Sequence, residues 1–293
     1  MLVVLSFAWG FTWPAMRIAL DEISPFGLRS VSAVLGAITL FALGMARRRS
    51  FYVPRHARVH LAVAALFNIV GFTLLTSFAQ LATATLRVAI LAYTMPIWAS
   101  MLAIPILGER LNARRVIALA LCVAGLAVLT YPLIGHALPT AVFLSVGAAL
   151  SWAIGTVYLK WVRIEADPVA VAGWQLVGGA IMVTAALPFF EGFPDLPSFK
   201  ATTLAAIAFS GVVGAGFAYF LWFSVVDKIS TMTASLGSLN VPVIGVFSSM
   251  AILGEHPSLF DIIGFVLILA AASCVLFQSD ERAAAAARAE PTV

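Results

Sequence analysis

Residues 96–109 read PIWASMLAIPILGE and residues 242–255 read PVIGVFSSMAILGE. In each, a proline is followed twelve residues later by Gly-Glu, across an otherwise apolar run. Outward from this pair the rest of the chain repeats as well. Pro96, Leu107, Gly108 and Glu109 recur as Pro242, Leu253, Gly254 and Glu255 at an offset of 146, and Gly71-Phe72 recurs as Gly216-Phe217 at 145. Trp9, Pro25 and Gly36 recur as Trp152, Pro168 and Gly179 at 143. The offset drifts by three residues, as loops of different length in the two copies produce.

The solvent of both copies follows from composition. Of 293 residues, 62% are hydrophobic and 10% charged, with a mean hydropathy of +1.05. A soluble domain carries roughly 25% charged residues, so this chain lacks the polar surface to coat a water-soluble globule and reads as an all-α integral membrane protein. A bilayer core takes about 20 apolar residues per helix. Cutting at charged, Pro and Gly clusters gives ten spans: 2–20, 25–45, 60–81, 85–107, 115–134, 140–160, 168–190, 201–226, 231–253 and 259–278. The expected division is a first five-helix repeat over 1–134, a second over 135–278, and a polar tail over 279–293 (SDERAAAAARAEPTV). The run from Leu2 lacks a basic n-region and a small-residue cleavage site, so it reads as a first span. Cys122 and Cys274 fall inside apolar runs and read as free thiols.

Five spans is an odd number, so the second copy crosses the membrane upside down relative to the first. Inverted halves meeting at the midplane are a transporter architecture. With the N-terminus in the cytoplasm, Arg47, Arg48, Arg49, Arg55, Arg58, Arg110, Arg114, Arg115, Lys160, Arg163, Lys228, Arg282 and Arg288 lie inside, against Arg17, Arg29, Arg87 and Lys200 outside. This positive-inside bias places both termini in the cytoplasm. It also accounts for the formal charge of +4 without a nucleic-acid partner.

Ten spans in 5+5 halves, Ser6-Phe7-Ala8-Trp9-Gly10 opening the first, and Leu-Gly-Glu closing the fourth and ninth resemble the drug/metabolite transporter superfamily, in particular its EamA-type ten-helix exporters. Within that group the chain is most similar to the YddG-type exporters of aromatic amino acids in bacterial inner membranes. The resemblance implies a bundle around a central cavity that opens alternately to each side. It implies a cavity lined by spans 1, 3, 4, 6, 8 and 9, with spans 5 and 10 peripheral.

Side chains three, four and seven apart share a helix face. Ser6, Gly10, Trp13 and Arg17, with Trp9 beside them, form such a stripe in span 1; Ser145, Ala149, Trp152 and Thr156 form one in span 6. Span 4 offers Ala89, Tyr93, Pro96 and Ser100, span 9 Ser235, Ser238, Pro242, Gly245 and Ser249, and span 3 Thr76, Gln80 and Thr83. Small and hydroxylated residues also line helix–helix contacts in lipid, and that alternative stands for each stripe. Asn240 and Gln80 carry amides that seek partners in the protein interior. Pro96 and Pro242, paired by the repeat near mid-bilayer, free the carbonyls of Ala92 and Ser238 for a hinge or an ammonium group. An aromatic substrate stacks on Trp or Tyr, and its ammonium over a ring face is worth about 0.5–2 kcal/mol. The candidates are Trp9, Trp152, Tyr93 and Tyr219, with Trp174 and Gln175 from span 7; Trp98 lies off the Tyr93–Pro96 stripe and is assigned to packing.

Carboxylates and histidines all fall at span ends, in loops or in the tail, so no titratable group is expected at depth to carry a coupling proton. There is no Gly-x-x-x-x-Gly-Lys phosphate loop, and an intramembrane enzyme would need acids, bases or metal ligands in mid-span. No cofactor or metal is expected. Glu109 and Glu255, at helix C-terminal ends where the dipole opposes them, require partners, with Arg110 or Arg115 available to Glu109. Arg17, Arg29 and Arg87 either anchor the outer flank or draw a substrate carboxylate outward. The expected protein is an uncoupled carrier exporting neutral, aromatic amino acids and similar small metabolites across a bacterial inner membrane. Its partners are the small-molecule substrate and lipid, and a monomer suffices because one chain holds both halves. The alternatives left open are a proton-coupled drug or metabolite exporter, a passive channel and a non-transport intramembrane protein.

Overall fold

Ten helices occupy the ten predicted spans in the computed structural model, which describes the backbone of residues 1–133, 139–225 and 231–289 and the side chains of 1–132, 140–224 and 239–276. They are α1 (Leu2–Ala19), α2 (Pro25–Ala46), α3 (Arg55–Ala82), α4 (Thr85–Leu107), α5 (Ala113–Thr130), α6 (Pro139–Val162), α7 (Pro168–Phe190), α8 (Ala201–Ser224), α9 (Thr231–Leu253) and α10 (Leu259–Ala289). Among the described residues, nine are long and apolar enough to cross a bilayer, and α9 is apolar over Leu239–Leu253. α10 runs past the expected end of its span: the alanine-rich stretch after Gln278, read as a tail, continues as helix to Ala289, in keeping with alanine's high helix propensity.

The repeated sequence signals are helix punctuation. Pro25 and Pro168 each stand in the first turn of a helix, behind the N-caps Ser24 and Asp167, whose side chains accept from Gly27 N and Val169 N. Gly108 and Gly254, the glycines of the two Leu-Gly-Glu triplets, have φ of 69° and 66°. These are left-handed C-caps that a β-carbon would strain, and they end α4 and α9 in the same way.

The packing obeys the repeat. α1 packs on α9 as α6 packs on α4; α2 packs on α8 as α7 packs on α3; α2 meets α7, and α5 meets α10. Exchanging the two halves maps this set of contacts onto itself, as a two-fold relation between them requires, and five helices in each half makes that relation an inverted one. Close backbone approach makes the interfaces possible: a β-carbon at Gly36 of α2 would stand 2.7 Å from Ala215 Cβ and 3.3 Å from Gly211 O, both on α8.

The bundle has an Asp21 end, bearing the α1–α2 turn, and an Arg47 end, bearing the α2–α3 loop. The Asp21 end is closed by a packed layer in which Trp13, Leu28, Ala79, Val88 and Ile207 come together from α1, α2, α3, α4 and α8. Polar links cross this end. Arg87 of α4 donates to Asp261 of α10 from Nε (2.5 Å) and Nη2 (3.1 Å). Ser258 and Asp261 complete a capping box, with Ser258 N donating to Asp261 Oδ2 at 2.9 Å and Asp261 N to Ser258 Oγ at 3.2 Å. Glu22 accepts from the backbone N–H of Lys200 at 2.9 Å and pairs with its Nζ at 2.7 Å.

The Lys200 hydrogen bond lowers the Glu22 carboxyl from 4.5 to about 2. Because the folded value is the lower one, the stabilisation from this link is present above about pH 4.5 and is lost as pH falls towards 2. A Glu22→Gln variant is expected to show a flatter acid limb in thermal unfolding over that window. The Asp261 side chain is 3% exposed and that of Arg87 25%. Arg87→Ala therefore strands a buried carboxylate and is expected to cost about 3–5 kcal/mol. Asp261→Asn costs less, and the double variant recovers part of the Arg87→Ala loss, as read by unfolding in detergent.

Candidate substrate site

Two departures from α-helix build the middle of the bundle. Leu66–Gly71 in α3 and Phe209–Phe217 in α8 are π-helical. They occupy repeat-related positions, and the Gly-Phe pairs that mark the repeat stand at their ends. A π segment widens the helix and leaves its hydrogen-bond ladder out of step, a feature frequent at functional sites. Each is tied to the first helix of the opposite half: Trp9 Nε1 of α1 donates to Gly214 O at 3.2 Å, and Ser151 Oγ of α6, beside Trp152, donates to Phe67 O at 2.7 Å.

Around these ties the aromatic side chains gather. Trp9 meets Tyr219 edge-on with ring centroids 5.8 Å apart and Trp222 at 5.9 Å. Trp152 lies 6.4 Å from Tyr219 and 4.9 Å from Phe72, and Tyr219 lies 6.3 Å from Phe223. The cluster joins α1, α3, α6 and α8, and Trp9, Trp152, Tyr219 and Phe72 are half-buried. Three of the sequence candidates, Trp9, Trp152 and Tyr219, thus come together.

The other candidates are dispersed. Thr76 and Gln80 are buried on α3, one and two turns beyond Phe72. Thr76 accepts from Arg29 Nη2 at 3.3 Å, and Gln80 Nε2 donates to Trp13 O at 3.1 Å. Tyr93 and Pro96 flank a break in α4, which stops at Ala92 and resumes at Met95. Pro96 lacks an N–H and stands in the first turn of the resumed helix. Thr94 Oγ1, donating to Leu91 O at 2.7 Å, and Trp98 Nε1, donating to Thr94 Oγ1 at 3.0 Å, fill the break. Pro242, its repeat mate, is buried within an unbroken α9. Thr156 is half-buried one turn from Trp152, and Asn240 is exposed.

Trp174 does not reach the cluster: its Nε1 donates to Phe51 O at 3.0 Å, against the α2–α3 loop. Gln175 accepts from Asn68 Nδ2 at 3.0 Å and donates to Val171 O at 3.2 Å, joining α7 to the π segment of α3. The side chains of Ser235 and Ser238 lie outside the described residues. The span 1 stripe divides. Gly10 faces Ile244 and Gly245 of α9, Trp13 joins the packed layer, and Trp9 turns to Tyr219 and Trp222 of α8.

Phe72, Trp222, Ser151 and Asn68 were not singled out in the sequence. The Gly71-Phe72 and Gly216-Phe217 repeat carried the signal for the two π segments, since a residue pair kept in both halves marks a shared backbone event. Among the end-of-span charges, Glu109 pairs with Arg115 as anticipated. Glu255 instead accepts from Thr85 N at 2.6 Å and Leu86 N at 2.8 Å, a carboxylate seated on the N-terminus of α4. Arg29, expected at the outer flank, is only 7% exposed and lies inside the bundle.

A ten-helix membrane bundle of two repeated halves, each with a π segment midway along one helix, has the architecture of a transporter. The chain belongs to the EamA-like transporter family, whose model matches residues 1–131 and 139–277. Similar proteins include the uncharacterized transporter YoaV of Bacillus subtilis (strain 168), 27% identical over 91% of this chain and 92% of that protein. A probable amino-acid metabolite efflux pump of Escherichia coli (strain K12) is 23% identical over 92% and 90%. A probable terminal-alkyne amino-acid exporter of Streptantibioticus cattleyicolor is 22% identical over 92% and 90%. A crystal structure shares the fold with a TM-score of 0.65 at 21% identity, covering 96% of this chain and 98% of its own.

Trp9→Phe keeps the ring but removes the N–H that serves Gly214 O. It is expected to cost about 1–3 kcal/mol of stability, because a buried carbonyl loses its donor. Thermal unfolding in detergent checks this, with Trp222→Phe, for which no such tie to Gly214 exists, as the reference.

Proposed function

We propose that the chain is an alternating-access carrier exporting neutral, aromatic amino acids and similar small metabolites, in the manner of the YddG-type exporters. It works as an uncoupled uniporter in a bacterial inner membrane, with both termini and the Arg47 end in the cytoplasm. The observation that carries this reading is the half-buried aromatic cluster joining α1, α3, α6 and α8. Its rings offer stacking faces to an aromatic side chain and π-faces to an ammonium group. One relative is named a probable amino-acid metabolite efflux pump and another a probable terminal-alkyne amino-acid exporter, which supports the substrate class. The closed Asp21 end corresponds to a carrier waiting for cytoplasmic substrate. The cluster contacts bring rings together without a carboxylate or imidazole among them, which supports uniport over proton exchange.

Uptake of labelled tryptophan into liposomes holding the purified protein, with and without an imposed pH gradient, tests both parts. Saturable uptake indifferent to the gradient, with counterflow, is the expected outcome. Concentration driven by the gradient would overturn uniport, and non-saturable flux would indicate a channel. Trp152→Ala is expected to weaken tryptophan affinity by about tenfold, consistent with about 1–3 kcal/mol for a stacked ring. Unchanged affinity would remove the cluster from the site.

A further inference from the structure

Arg29 is the fifth residue of α2 and only 7% exposed, yet no carboxylate pairs with it among the described residues. Of the acidic groups at the Asp21 end, Asp195 is exposed and the other five are engaged elsewhere. Asp21 pairs with Arg17, Glu22 with Lys200 and Asp261 with Arg87; Glu255 caps α4, and Glu191 accepts from Phe26 N. The guanidinium makes do with neutral acceptors. Nε donates to Ser77 Oγ at 2.7 Å and Thr73 O at 2.9 Å, Nη2 to Thr76 Oγ1 at 3.3 Å, and Nη1 to the sulfur of Met16 at 2.8 Å. A thioether is a weak acceptor for a guanidinium. The location raises the cost further, because the positive end of the α2 dipole opposes a cation in the first turns. A buried charge held this way calls for an anion.

A second group nearby has the opposite need. Gln80, 1% exposed, lies one turn beyond Thr76 on α3. Its Nε2 is fixed on the Trp13 carbonyl, so the amide cannot turn over without setting two oxygens against each other. Its Oε1 is buried with no donor. Phe72, one turn before Thr76 on α3, touches Trp152 of the aromatic cluster. From the rings, α3 therefore leads first to a cation without an anion and then to an acceptor without a donor, at about 5.4 Å per turn.

We infer that Arg29 and Gln80 form a binding site for the zwitterionic head of an α-amino acid, on the Asp21 side of the aromatic cluster. Arg29 takes the carboxylate as a two-pronged donor and Gln80 Oε1 takes the ammonium. In the present state Met16 and the packed layer of Trp13, Ala79 and Val88 close over it. When that layer parts, the carboxylate replaces the sulfur on Nη1. The site rests on the reading of the protein as an amino-acid carrier and adds the element that tells an amino acid from any other aromatic molecule.

The test is competition for labelled tryptophan in proteoliposomes by tryptophan, tryptophanamide, tryptamine and indole-3-propionate. The wild type is expected to favour tryptophan over tryptophanamide and tryptamine. Arg29→Gln should lose about tenfold or more in affinity for tryptophan while its affinity for tryptamine stays within about twofold, the scale of one charged hydrogen-bonded pair. Gln80→Leu should lose affinity for tryptophan and tryptamine and keep that for indole-3-propionate. Equal losses for all ligands in Arg29→Gln, or an unchanged tryptophan-to-amide ratio, would mean that Arg29 only braces α2 against α3. Arg29→Lys covers the case in which the glutamine variant does not fold: it keeps the charge without the fork, so the site predicts a tryptophan-to-tryptophanamide preference that is reduced but still present, whereas bracing predicts the wild-type ratio. A wild type that recognises all four ligands alike overturns this site and leaves export standing. A wild type that moves no amino acid overturns both.

Discussion

In a bilayer every backbone N–H and C=O must find its partner inside the protein, and the helices of this chain break that rule locally in several places. Pro14 removes the N–H that would serve Gly10 O, and Ser248 of α9 donates to that carbonyl instead. The π segment of α8 is served at Gly214 O by Trp9, and that of α3 at Phe67 O by Ser151. In all three the donor belongs to one half and the carbonyl to the other. The inverted halves are thus held together by backbone repair as well as by packing. The same ties also fix which residues surround the aromatic cluster.

The halves share a grammar and use it differently. Gly108 and Gly254 end their helices alike, but the glutamates that follow part ways: Glu109 turns to Arg115 within its own half, while Glu255 crosses to the N-terminus of α4. Pro96 breaks α4, whereas Pro242 is carried inside a continuous α9. A symmetric sequence pattern thus yields asymmetric contacts.

The candidate site was partly legible beforehand. Trp9, Trp152 and Tyr219 were picked for being mid-span aromatics, and they meet because the repeat places Trp9 and Trp152 at equivalent depths on α1 and α6. Trp174 had the same credentials and packs on the α2–α3 loop instead, because residue type and depth do not specify which neighbour a helix face meets. Helical spacing also misled in span 1. It grouped Gly10 and Trp13 with Trp9, while α8 and α9 divide that arc between them. Arg29 reads as a flank residue when counted from the end of its span, but the packing of α1 and α3 against α2 encloses it.

What the sequence determined by itself was the solvent, the number of spans, their inversion and the helix stops. These depend on properties each segment carries alone: apolar length, the charge of its ends, a proline in the first turn, a glycine that can turn left-handed. Only the tertiary structure decided which end is closed, where the helices abandon α geometry, and which polar groups are left with an unmet bond. Those outcomes rest on distances between segments far apart in the chain, 205 residues for Trp9 and Gly214 and 67 for Gln80 and Trp13. A hydrogen bond strengthens or fails over less than an ångström, and helical periodicity does not set distances between helices to that tolerance.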